Sequence, residues 1–247
     1  MRRSNMVAQA APTGRTFARA WWLAISTALL AGTLWGVLCW LGDGAPSPYS
    51  GFFNLGGPWL LLAWLIGCWA GSNPRGALCG GLALAVGVLA YYAVYTSGIT
   101  VGGQESRVYD PESRAWLLLA ALSGPVFGAA GAWSRSAGRW LRIGGVTIVA
   151  AALLAEAAYY FQAQMIIHQG SPFFDPNEPP LLTLAGYVVP RHSGVFVLAA
   201  QAAASVALLP AVLRGWRELG LGLGALAALA GIGVLLVEII YLVVRGY

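Results

Sequence analysis

An all-α, polytopic membrane bundle of about seven helices is the fold class this sequence predicts, and three observations predict it. Charged residues make up only 9% of the 247-residue chain and hydrophobic residues 58%, where soluble domains carry about 25% charged residues. Mean hydropathy is +0.69. The apolar residues also gather into long runs, most of them near the ~20 residues that a membrane-crossing helix needs. With so few charges, a soluble fold could not cover its surface with polar groups. In lipid, backbone groups must be bonded within their own segment, so the runs read as helices. An outer-membrane barrel would instead show strands of about 10 residues with alternating polarity, a pattern this sequence lacks.

In chain order, residues 1–20 form a polar, basic, cytoplasmic tail, and residues 21–247 a single transmembrane domain. The first run, Trp21–Leu41, is too long for the apolar core of a signal peptide. No small-residue cleavage site follows in "LGDGAPSPYS", so it reads as a retained helix. Leu55–Ala70 is the shortest run, and Gly76–Thr96 follows it closely. Ala115–Trp133 contains Pro125, which removes a backbone bond and predicts a kink. Ile143–Ile167 carries Glu156 in its interior. Ser193–Leu213 and Leu219–Val244 complete the set. Between the fifth and sixth runs lies a proline-rich loop. Its apolar piece, Leu181–Val189, is too short to span and suits the interface or a re-entrant turn.

Every basic side chain that stays charged at neutral pH is an arginine; lysine is absent. Arginines in short loops set orientation. With the N-terminus inside, Arg2, Arg3, Arg15, Arg19, Arg75, Arg135, Arg139, Arg142, Arg214 and Arg217 are cytoplasmic. Arg107, Arg114, Arg191 and Arg245 lie outside with Asp43, Glu105, Asp110, Glu112, Asp175 and Glu178. Seven crossings, N-in and C-out, in a cell inner membrane follow. Trp21, Trp22, Trp133, Trp140 and Trp216 then fall at the inner headgroup layer. Trp40, Trp59, Trp116, Tyr91, Tyr92 and Tyr95 fall at the outer one. The positive charge suits anionic headgroups. No basic patch interleaved with aromatics points to nucleic acid.

"WLLLAWLIGCWAG" (Trp59–Gly71) aligns without a gap to "WLLLAALSGPVFG" (Trp116–Gly128), and "LLAEAAYY" (Leu153–Tyr160) to "LLVEIIYL" (Leu235–Leu242). The pairs imply a leading helix followed by three alike hairpins, helices 2–3, 4–5 and 6–7. The glycine pairs Gly67/Gly71, Gly76/Gly80 and Gly124/Gly128 are spaced for close helix approach, within the monomer by default. Cys39, Cys68 and Cys79 read as small packing residues rather than a disulfide framework.

The chemistry rests on two carboxylates. Glu156 lies 13 residues beyond Ile143, roughly 20 Å into the membrane. A charge there costs a few kcal/mol or more, with about 2.5–3.5 as the low estimate. It must face the bundle, carry a proton or meet a partner. Glu238 is seven residues before Arg245, about 10 Å from the outer end. Tyr159 and Tyr241 stand at i+3 on the same faces. Gln162, Gln164, Gln201 and Tyr160 are further local partners. Polar glue between helices is the bland reading, a proton- or solute-handling site the sharper one. His168, Asp175, Glu178 and His192 have no metal-ligand spacing, so no metal or other cofactor is expected. H-E-x-x-H, G-x-S-x-G, P-loop and C-x-x-C motifs are absent, which leaves an enzyme least favoured.

"NLGGPWLLLAWLIGCWAG", "RGALCGGLALAVGVLAYYAVY", "AWLLLAALSGPVFGAAGAWSR" and "LLAEAAYY" together cover helices 2 to 5. In these the chain resembles an uncharacterised family of multi-spanning integral membrane proteins from high-G+C bacteria. That resemblance implies a bacterial inner-membrane location and no substrate. The expected function is a small permease- or channel-like protein with a buried carboxylate site. It would be surrounded by the lipid bilayer and handle a small solute or a proton. The alternative is a non-catalytic accessory or scaffold subunit whose protein partners are unknown.

Overall fold

The computed structural model describes residues 14–43, 53, 55–96, 111–168 and 191–245. Side chains are described over 20–43, 53, 55–94, 113–159 and 199–235. The described residues form seven α-helices and no strand: α1 (Gly14–Asp43), α2 (Gly56–Ala70), α3 (Asn73–Thr96), α4 (Pro111–Ser134), α5 (Arg139–His168), α6 (Arg191–Val212) and α7 (Trp216–Arg245). All seven apolar runs are helices. Most ends lie a few residues beyond the apolar stretch, and α1 starts at Gly14, inside the segment expected to be a tail.

Five helices are long and apolar enough to cross a membrane: Ala20–Asp43, Asn73–Val94, Ser113–Ser134, Arg139–Tyr159 and Trp216–Leu235. Two more are apolar but shorter, Gly56–Ala70 and Ala199–Val212. Large apolar side chains cover the outside, among them Trp22, Leu30, Leu34, Leu118, Leu122 and Leu235. Soluble monomers rarely expose such a continuous apolar surface. The fold is that of an integral membrane protein.

α3 packs against α1 on one side and α4 on the other, and α4 leads on to α5. α5 is the most buried of the candidate spans and carries both α6 and α7. α2 lies in the crease formed by α3 and α4, touching α5. The arginine-rich ends meet at one end of the bundle. There the Arg75 guanidinium lies over the Trp21 ring, 5.3 Å from its centroid.

Glycines set the spacing of the first half. A methyl group on Gly67 of α2 would strike the backbone of Gly128 in α4. One on Gly76 of α3 would strike Gly128 too, and one on Gly80 would strike Gly124 and Gly128. Three helices therefore converge on one residue without a Cβ, an intramolecular use of the predicted glycine pairs. Gly71 does something else. It ends α2 in the left-handed conformation, φ 75°, the usual geometry of a helix C-terminal glycine. Pro125 stays within α4, its ring facing Gly81.

The hairpins are not alike. α2 packs on α3 and α4 on α5, whereas among the described residues α6 and α7 barely meet and each packs on α5 instead. Helices 6 and 7 thus share sequence features with the earlier pairs without sharing their packing. Cys39 and Cys79 are buried and Cys68 half-buried, all as free thiols.

Candidate functional site: a carboxylate that caps a short helix

α2 is 15 residues long and its partner α3 is 24. At about 1.5 Å per residue, α2 rises only about 22 Å and α3 about 36 Å. The two share the tight turn at Gly71–Ser72, so α2 stops well short of the far end of α3. A hydrocarbon core is about 30 Å thick. A helix this short falls below that thickness, and the free N–H groups at its start need acceptors wherever water is scarce.

The local sequence supplies no cap. Leu55 is the N-cap residue, and among the described residues no side chain of this segment caps the helix. Pro58, in the first turn, has no N–H to satisfy. The amides of Gly56 and Gly57 donate instead to Glu156 on α5, Gly56 N to Oε1 at 2.7 Å and Gly57 N to Oε2 at 2.7 Å. Two backbone donors thus meet the two oxygens of one carboxylate. The positive end of the α2 dipole faces the negative group.

A third donor comes from α6. Gln201 Nε2 donates to Glu156 Oε2 at 2.6 Å and to the Leu153 carbonyl at 3.2 Å. That carbonyl fixes the amide orientation, since a reversed Gln201 would set oxygen against oxygen. All three partners of Glu156 are then donors. This is the pattern an ionised carboxylate requires; a neutral, donating acid would find no acceptor among them. Glu156 is half-buried, Gln201 is 8% exposed, and the Gln201 Oε1 atom has no partner among the described residues.

Of the residues singled out in the sequence, the structure brings Glu156 and Gln201 together. Tyr159 is half-buried on the same helix and makes its own interaction. The side chains of Gln162, Gln164, Tyr160, Glu238 and Tyr241 lie outside the described residues, as do the side chains of His168 and His192 and the residues Asp175 and Glu178. No group of three metal-ligating side chains occurs among the described residues.

Three elements were not legible beforehand. Gly56 and Gly57 were given no role, yet they donate to the carboxylate. The signal was available: "NLGGPW" starts a helix with no Ser, Thr, Asp or Asn at its N-cap, so the cap must come from elsewhere. Glu218 was not assigned a role. It accepts from Arg142 Nη2 at 2.6 Å and from the Arg214 amide at 3.1 Å, tying α7 to α5 at the arginine-rich end. Near that end, Trp64 Nε1 donates to Ser134 Oγ at 3.0 Å and the Gly145 carbonyl at 3.1 Å, joining α2, α4 and α5.

A cavity of about 290 Å³ lies on the other side of Gly56, between α2, α3 and α4. Trp59 and Trp116, the paired tryptophans of the internal repeat, both line it, with Tyr91 and Tyr92 opposite. Glu156 is outside this lining, behind Gly56. Gly56 therefore belongs to both features, one face to the cavity and its amide to the carboxylate.

Comparison with curated proteins and with solved structures returns no match. The match that does appear runs over residues 15–175, from α1 through the whole of α5, and so contains Gly56, Gly57 and Glu156 but not Gln201. It covers well over half of the chain, and the chain accordingly belongs to a family described as a family of unknown function, DUF6518.

Proposed function

We propose that this is a small permease-like protein of the bacterial inner membrane, with seven crossings and the N-terminus inside. Its working part is the junction of α2, α5 and α6. The observation that carries the reading is the set of three donors on Glu156: the Gly56 and Gly57 amides and Gln201 Nε2. Helices that start part-way through a membrane, with their N-termini aimed at an anion, recur at transporter binding sites. Here the anion is the protein's own. An ionised Glu156 holds the start of α2 against α5 and α6, and a proton on it replaces one acceptor with a donor and loosens that hold. The unpartnered Gln201 Oε1 offers an acceptor to a water, a proton carrier or a solute N–H.

Purified protein in proteoliposomes tests this. The wild type is expected to pass protons or a small solute down a pH gradient, and Glu156→Gln to pass none while remaining folded. Equal flux through the two, or no flux through either, overturns the reading.

A second reading, an accessory or scaffold subunit, is favoured by α7. That helix packs chiefly on α5 and leaves Leu221, Leu223, Leu229, Ile232 and Leu235 outward. A partner helix on this face would co-purify in mild detergent and be lost when Leu229 and Ile232 are changed to Ala. A lone monomer after such extraction ends it.

A further inference from the structure

The cavity between α2, α3 and α4 is the second feature that the fold builds with care. It begins beside the glycine contacts of α3 and α4. α3 and α4 touch at Gly80–Gly81 and Gly124–Gly128, then diverge, and the space between them is lined by Leu84, Val88 and Tyr92 on one side and Trp116, Ala120 and Ser123 on the other. α2 closes it from behind with Trp59 and Leu60.

The walls are braced. Trp59 stands edge-on to Trp35, ring centroids 6.4 Å apart, and Tyr91 edge-on to Tyr92 at 5.1 Å. Tyr91 also donates its hydroxyl to Asp43 at the end of α1. These contacts restrain Trp59 and Tyr91 from turning into the space.

The lining contains no charged residue and is mostly apolar, and three of its polar groups are already committed. Ser123 Oγ donates to the Leu119 carbonyl of its own helix at 2.6 Å, Tyr91 to Asp43, and the Gly56 amide to Glu156. An ion, sugar or amino acid would shed its hydration here and gain little in return. Hydrocarbon would shed nothing. Apolar cavities also exclude water, and an unfilled one forfeits the contacts its walls could make. Leu119, which lines the cavity, is 52% exposed on the outside of α4. The opening therefore gives onto the surface that faces lipid. The volume is at the bottom of the range for small-ligand sites, about 300–1,000 Å³, room for one chain rather than a whole diacyl lipid.

We propose that this cavity binds a single hydrocarbon chain, acyl or isoprenoid, that enters beside α4 from the surrounding lipid and lies against Trp59 and Trp116. The site is separate from Glu156 and stands whether or not the carboxylate moves protons.

Photolabelling of the full chain in lipid nanodiscs tests it, with two probes: palmitic acid and farnesol, each carrying a diazirine near the end of the chain. The expected result is saturable labelling of the peptides around Trp59–Leu60, Val88–Tyr92 and Trp116–Ser123, competed by the unlabelled compound. Whichever probe is competed at lower concentration identifies the chain type. Filling the space with Ala120→Phe, or independently with Ser123→Leu, should lower that labelling by roughly tenfold and leave labelling at Trp22 and Leu34 unchanged. Two variants are used so that one misfolded protein, recognised by gel filtration, does not decide the matter. Labelling confined to the outward-facing positions, labelling that never saturates, or cavity labelling undiminished in both folded variants overturns the proposal.

Discussion

Glu156 Oε2 accepts the Gly57 amide at 2.7 Å across 99 residues of sequence, and the Gly56 amide meets the other oxygen at the same distance. Removing the carboxylate should therefore cost more than removing an ordinary helix cap. Glu156→Ala leaves two backbone donors and the Gln201 amide without an acceptor. At about 1–3 kcal/mol for each of the three donors, the expected loss is about 3–9 kcal/mol. Glu156→Gln keeps one carbonyl oxygen and should lose about 1–3 kcal/mol. Unfolding in mixed micelles, followed by circular dichroism, measures both. An alanine variant as stable as the wild type would mean that α2 needs no cap.

The two glycines at the start of α2 are not equivalent. A Cβ on Gly57 would lie 2.6 Å from Gln201 Nε2 and from Leu153 Cδ2, and 2.7 Å from Glu156 Oε2. On Gly56 it would lie 3.2 Å from Glu156 Oε1 and touch only the carboxylate of that residue. Gly57→Ala should destabilise by about 1–3 kcal/mol through overpacking, and Gly56→Ala by less than about 1 kcal/mol. The same unfolding experiment ranks them, and the reverse order would contradict the geometry of the cradle.

Gly128 and Gly224 provide a matched pair within helices. A methyl on Gly128 would collide with the backbone of Gly76 and come within 3.1 Å of Gly80 Cα, whereas Gly224 has nothing within 4 Å. Gly128→Ala should cost about 1–3 kcal/mol by forcing α3 and α4 apart. Gly224→Ala should gain up to about 1 kcal/mol, the ordinary advantage of alanine over glycine in a helix. Thermal melting of both variants in one detergent checks the opposite signs. Equal effects would mean that the three-helix convergence at Gly128 is not tight.

The helices were legible because each is an apolar run bounded by polar residues, and lipid leaves the backbone of such a run little choice. Their ends were less so. α5 begins at Arg139 rather than Ile143 because long arginine side chains can remain helical while their heads reach the polar layer. The carboxylate half of the site was legible too, since Glu156 and Gln201 stand out in apolar sequence. The amide half was not, because backbone N–H groups of glycine leave no mark on composition. α2 already reads as the shortest run, and the missing step was to ask what caps it: a 15-residue helix with no cap of its own asks for an acceptor elsewhere. The repeat was half legible. Trp59 and Trp116 do face one cavity, yet the likeness between helices 4–5 and 6–7 does not extend to packing, because α6 and α7 spend their apolar faces on α5.

The brevity of α2 has a consequence for biosynthesis. Gly56 emerges from the ribosome 100 residues before the side chain that will accept its amide, and Gln201 follows later still. Until α5 has been made, the Gly56 and Gly57 amides lack the acceptor that the finished fold gives them. The cap at the start of this early helix is thus completed only after most of the chain has been made.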